Sequence, residues 1–132
     1  RPPTSTVMQR PGEIVDGYLE AVDRRDYPAV RRHLADEGFL YTSPINRFTS
    51  ADELMGYIEY VTPIVQRREV RKVFADGDDV CHILVFTTQL SEKSSSDVAQ
   101  LSEVRDGRIV RIQVIFDAYE YRMMFVPEDG AG

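Results

Sequence analysis

The sequence is poor in the residues that would build a covalent or metal framework: it has one cysteine, Cys81, two histidines and no tryptophan. A lone thiol forms no internal disulfide and cannot by itself hold a metal. No His/Asp/Glu cluster stands at ligand spacing and no glycine-rich loop suggests a nucleotide, so neither a metal nor a cofactor is expected. Apolar runs approaching the roughly 20 residues of a membrane span are also missing, and residues 1–10 lack the apolar centre of a signal peptide. A soluble protein of the reducing cytoplasm, with no membrane partner, is the expectation. Positive charge is the last deficit. A net charge of -6 and a pI near 4.9 leave no basic face for phosphate, so nucleic acid is not an expected partner. The pairs Arg24-Arg25, Arg31-Arg32 and Arg67-Arg68 read as solvated surface.

What is present suffices for one domain: 132 residues, 42% of them hydrophobic, with seven tyrosines and six phenylalanines as large side chains. Residues 1–10, with two prolines and no periodicity, read as a flexible arm, residues 11–126 as the domain and 127–132 as a tail. Ile14, Val15, Tyr18, Leu19 and Val22 recur at helical spacing after Pro11, predicting a helix over about 11–24. Asp26 caps a second, over about 27–35, and Ser50-Ala51-Asp52-Glu53 opens a third that Pro63 closes. Short strands at 39–43 and 47–49 lie between these two helices. Four longer strands follow, near 68–75, 79–90, 98–105 and 108–119, with turns at Asp76-Gly77 and Asp106-Gly107 and a polar loop over 91–97. Helices first and a meander afterwards predict an α+β fold: a curved antiparallel sheet, rolled into a cone-shaped barrel, with three N-terminal helices across its concave face.

Alternation assigns the faces. In the strand from Ile109, the residues Arg111, Gln113, Ile115 and Asp117 share one side, and Ile112, Val114 and Phe116 the other. Polar groups at the end of an apolar strand suggest a site, so the Asp117 side is expected to face the cone. On the strand from Val80 to Phe86 the same parity carries His82, Leu84 and Phe86 inward and Cys81 outward. His82 is then either a satisfied core histidine or a second proton carrier. His33, in an arginine-rich helix, reads as surface.

The order of elements, the turn Asp106-Gly107-Arg108-Ile109 and the ending Ile115-Phe116-Asp117 together resemble the nuclear transport factor 2-like superfamily, and within it the SnoaL-like branch, over about residues 11–122. That branch includes polyketide cyclases, ketosteroid isomerases, limonene epoxide hydrolases, polyether-forming epoxide cyclases, dehydratases and members without known activity. The resemblance places Asp117 where cyclases and epoxide hydrolases keep a catalytic carboxylate, and Tyr41 where epoxide hydrolases have a water-positioning tyrosine. Three positions depart from the relatives. Ser43 stands where epoxide hydrolases have an asparagine and ketosteroid isomerases their basic aspartate, and Leu84 and Phe86 stand where epoxide hydrolases have an arginine and an aspartate.

The resulting expectation is a small cofactor-free enzyme acting by acid/base catalysis on a lipophilic, polyketide- or terpene-like substrate, by cyclisation, isomerisation or epoxide opening. Asp117 and His82 are the expected proton carriers. Tyr41, Gln113, Gln100, Tyr18 and Tyr57 are the candidate polar contacts to substrate, although Tyr18 and Tyr57 fit equally as core aromatics. Leu84, Phe86 and Ile115 are the candidate apolar walls. The alternative is a non-catalytic small-molecule-binding or dimeric assembly module. A homodimer through the outer face of the sheet is expected, because Ile112, Val114 and Phe116 would have no helix to cover them.

Overall fold

The computed structural model describes residues 10–88 and 94–117; the ends of the chain, with the expected arm and tail, lie outside the described residues. Helix α1 spans Pro11–Arg24 and buries Ile14, Val15, Tyr18 and Leu19, the stripe its periodicity marks. Its first turn is held by Glu13, whose carboxylate accepts the Arg10 N–H at 3.1 Å. Helix α2 is Tyr27–Arg32, capped by Asp26, which accepts the Ala29 N–H. It stops three residues before the expected end because a bridge to the last strand takes over the backbone: Ala35 N–H donates to Ile109 O and Ile109 N–H to His33 O. Helix α3, Ala51–Val61, is capped by Ser50, whose hydroxyl accepts the Glu53 N–H at 3.2 Å. Glu53 returns a bond one residue earlier than a capping box would, to the Thr49 N–H at 2.9 Å.

His33 is half-buried at the crossing of α1 and α2, not a surface residue. Its Nδ1–H donates to Ala29 O at 2.7 Å, and its Nε2 sits where a Cβ on Gly17 would lie 2.7 Å away. A side chain at position 17 would hold the two helices apart.

Strands β1 (Leu40–Thr42), β2 (Arg47–Phe48), β3 (Val65–Asp76), β4 (Asp79–Thr88), β5 (Ser94–Arg105) and β6 (Arg108–Phe116) form one sheet in the order β2-β1-β6-β5-β4-β3. The fold is α+β, as expected, with a sheet that is mixed and open: β1 pairs with β6 in parallel, and β2 and β3 are its edges. The segment 94–97, expected in a loop, is ladder-paired to β4. At the β5–β6 hairpin both Asp106 (φ 54) and Gly107 (φ 79) are left-handed, the conformation a two-residue hairpin of matching twist needs.

Register assigns the faces, because directly paired residues point the same way. Three rows run across the concave side: Ala75, Val80, Ser102, Ile112 and Tyr41; Val73, His82, Gln100 and Val114; Val70, Leu84, Val98 and Phe116. Helices cover this side, and Val80, Leu84, Ile112, Val15 and Leu34 are fully buried there. Each such side chain contributes about 1.5–3 kcal/mol relative to an exposed one. The expected parity of β6 is therefore reversed: Ile112, Val114 and Phe116 belong to or pack on the core, whereas Arg111, Gln113, Ile115 and Asp117 are exposed. Burying three apolar side chains outweighs turning one strand-end carboxylate inward. A bulge at Val110 lets Ile109 and Ile112, an odd number of residues apart, face the core together.

Candidate functional site

The wider part of the concave side is aromatic. Tyr41 on β1, Phe48 on β2 and Tyr57 on α3 form a triangle with ring centroids 5.5, 6.5 and 5.4 Å apart, each partly buried against the core. The pairing of β1 with β6 puts Tyr41 beside Ile112, and the turn after β1 fixes its hydroxyl. Ser43 Oγ accepts the N–H groups of Ile45 and Asn46 at 3.2 and 3.0 Å, so its own proton is left to donate to Tyr41, with which it hydrogen-bonds. The Tyr41 proton is thereby free to point elsewhere. Burial foremost, and then the nearby Tyr18 and Tyr57, push the Tyr41 phenol well above its ordinary range. Tyr18, buried on α1, is pushed up to about 12 by desolvation, against an opposing pull from the Arg68 charge. Both phenols are thus neutral hydrogen-bond donors at any physiological pH.

Deeper in the fold, His82 is fully buried, and its Nε2 lies 3.0 Å from Oδ1 of Asp16, an exposed carboxylate on α1. A carboxylate only accepts, so in the neutral imidazole Nε2 carries the proton and Nδ1 presents its lone pair. Among the described residues, that Nδ1 has no hydrogen-bond partner, and neither have Gln100 Nε2 or Ser102 Oγ. Each unpartnered buried polar group costs about 1–3 kcal/mol. Three on adjacent strands, on one face, mark a place where the fold gives up stability.

The structure thus separates the expected site residues into two groups. Tyr41, Tyr18, Tyr57, His82, Gln100, Leu84 and Phe86 share the concave side; Leu84 is core, while Phe86 is half-buried with the Arg68 guanidinium 6.0 Å from its ring centre. Gln113, Ile115 and Asp117 are exposed on the parity of the opposite face, so the structure does not bring Asp117 to His82. Asp16, Arg68 and Ser102 were not anticipated. Asp16 is next to the apolar stripe of α1, the only sequence signal it offers; Arg68 bonds Leu19 O and the Asp23 carboxylate and ties β3 to that helix. Among the described residues, no group of three His, Cys, Asp or Glu side chains could hold a metal ion, and no helix is long and apolar enough to cross a membrane.

A second cleft, of about 590 Å³, lies at the β5–β6 hairpin against the segment after α2. Each of its three arginines is paired, Arg105 and Arg111 with Glu103 and Arg108 with Asp36, so it offers no free guanidinium.

Comparison with known proteins places this geometry in a lineage. The sequence profile of the SnoaL-like domain matches residues 15–112. No curated protein matches. Among solved structures, an NTF2-like protein of Burkholderia thailandensis E264 superposes with a TM-score of 0.78 at 20% identity, over 91% of this chain and 100% of that one. An LEH-like epoxide hydrolase of M. tuberculosis gives 0.71 at 22% identity, over 86% and 84% of the two chains. A protein with a ketosteroid isomerase-like fold from Catenulispora acidiphila DSM 44928, solved with trimethylamine, gives 0.73 at 17%, over 89% and 95%. At these identities the likeness shows the shared fold.

Proposed function

The chain belongs to the SnoaL-like domain family, and on that premise we propose that it is a small cofactor-free enzyme acting by acid/base catalysis on a lipophilic, polyketide- or terpene-like molecule in the cytoplasm. The observation that carries this reading is the Asp16–His82 pair, a buried imidazole whose tautomer is set by a carboxylate and whose other nitrogen is unpartnered. In this reading His82 Nδ1 takes a proton from substrate, and Asp16 holds the ring and stabilises the imidazolium that forms. The Tyr41 hydroxyl, with Tyr18 and Tyr57 nearby, donates to the substrate oxygen on which negative charge develops, and the aromatic wall of Phe48, Phe86 and Phe116 excludes water. Cyclisation, isomerisation and epoxide opening all need this division of labour. Asp117, expected as the proton carrier, has no part in it.

A non-catalytic binding module is the second reading. It is favoured by the exposure of Gln113 and Asp117 on the parity of the opposite face, which leaves the concave side without the carboxylate expected there. The two are separated by assaying limonene 1,2-epoxide and androst-5-ene-3,17-dione with the wild-type protein and with His82→Gln and Tyr41→Phe. Turnover lost in both variants supports the enzyme. Binding of either compound with no turnover by the wild type supports the module.

We also propose a homodimer through the convex face. Phe74, Leu101 and Ile115 are 55, 39 and 55% exposed there, and the half-buried Cys81, Ile83 and Ala99 lie between them. These residues replace the expected Ile112, Val114 and Phe116, which the helices cover.

A further inference from the structure

The buried group of His82, Gln100 and Ser102 has no role in the reading above beyond the single imidazole, yet it specifies a ligand group by its chemistry. His82 and Gln100 are directly opposed across β4 and β5, and Ser102 follows Gln100 on the same face, about 7 Å along the strand. All three are at least nine-tenths buried. Their unpartnered atoms differ in kind: His82 Nδ1 accepts, Gln100 Nε2 donates, and Ser102 Oγ does either. A hydrocarbon answers none of them. A carbonyl oxygen satisfies Gln100 or Ser102 but leaves the Nδ1 lone pair bare. A hydroxyl satisfies both kinds at once, donating its proton to Nδ1 and accepting from Gln100 Nε2 or the Ser102 hydroxyl.

We propose that His82, Gln100 and Ser102 form a hydroxyl-recognition subsite at the floor of the concave side, so that the favoured ligands are lipophilic alcohols. The proposal rests on the lipophilic-ligand reading and adds to it the group that the ligand presents. It also orients the ligand: the hydroxyl lies at His82, and the remaining carbon skeleton extends toward the aromatic wall. With the proton on Nε2 turned toward Asp16, the subsite needs no change of tautomer to accept an alcohol.

The test is calorimetric titration of the full chain with three rigid terpenes of one skeleton: borneol, camphor and camphane. The subsite predicts borneol binding about tenfold more tightly than camphane, the effect of one well-made buried hydrogen bond, with camphor between them. Gln100→Leu should abolish the preference while leaving camphane affinity unchanged. Ser102→Ala, a smaller change that keeps the fold in any case, should reduce it. Equal affinity for borneol and camphane in the wild-type protein overturns the subsite and leaves the lipophilic cavity standing, as does a preference that survives in both variants. Failure of all three compounds to bind overturns the cavity and the subsite together.

Discussion

His82 Nε2 lies 3.0 Å from Asp16 Oδ1 across 66 residues of sequence, and this one bond decides which way the imidazole can act. Replacing His82 with Gln removes the base, and turnover should fall by about 10²- to 10⁴-fold. Asp16→Asn keeps the shape but allows the other tautomer, so it should lower kcat with little change in KM. Asp117→Asn should leave both near wild-type values. Steady-state kinetics of the three variants decide the matter; a loss in Asp117→Asn comparable to that in His82→Gln would restore the carboxylate and remove the dyad.

Tyr18 should make the fold sensitive to alkali. Its phenol ionises near 10.0 when unfolded and at about 12 when folded, because burial penalises the phenolate. The folded value is the raised one, so the contribution to stability is complete below pH 10 and disappears between about 10 and 12. The full displacement corresponds to roughly 3 kcal/mol. Urea unfolding at pH 9 and pH 11 should show the wild type losing more stability than Tyr18→Phe over that interval. Parallel losses in the two proteins would contradict this.

The convex face predicts association. Sedimentation at micromolar concentration should give a dimer, and Leu101→Lys, which sets a charge at the middle of the apolar patch, should give a folded monomer. A monomeric wild type would remove the interface.

Gly17 predicts a change of sign. Alanine favours a helix interior over glycine by about 1 kcal/mol. Here its Cβ would meet His33 Nε2 at 2.7 Å, so Gly17→Ala should destabilise by roughly 1–3 kcal/mol. In a His33→Ala background the same substitution should be neutral or stabilising. A double-mutant cycle by thermal unfolding measures the coupling; independent effects would mean that the ring moves aside freely.

Much of the architecture was legible because it is written in local chemistry. Pro11 with the stripe of Ile14, Val15, Tyr18 and Leu19 specified α1, Asp106-Gly107 specified a hairpin, and the alternation from Val80 to Phe86 carried His82 to the concave side. What was not legible depends on partners distant in sequence. Both faces of β6 carry β-branched residues, so the face that turns inward is decided by the helices, and the weight given to Asp117 pointed the wrong way. The Asp16–His82 bond joins a helix to a strand that no spacing relates. The end of α2 is set by Ile109, which competes for its backbone from the far end of the domain.

The parallel pairing of β1 with β6 joins the earliest strand of the domain to the latest, pairing Leu40 with Arg111. Hairpins between β3, β4, β5 and β6 close over short loops, whereas β1 must wait for a strand made at the very end. During synthesis the Tyr41 segment emerges before any strand it can pair with beyond β2, and its pairing waits until β6 has left the ribosome. The tyrosine wall is therefore the last part of the site to assemble, and a chain halted before Arg108 would hold the three described helices and the Asp16–His82 pair but no strand for β1 to pair with.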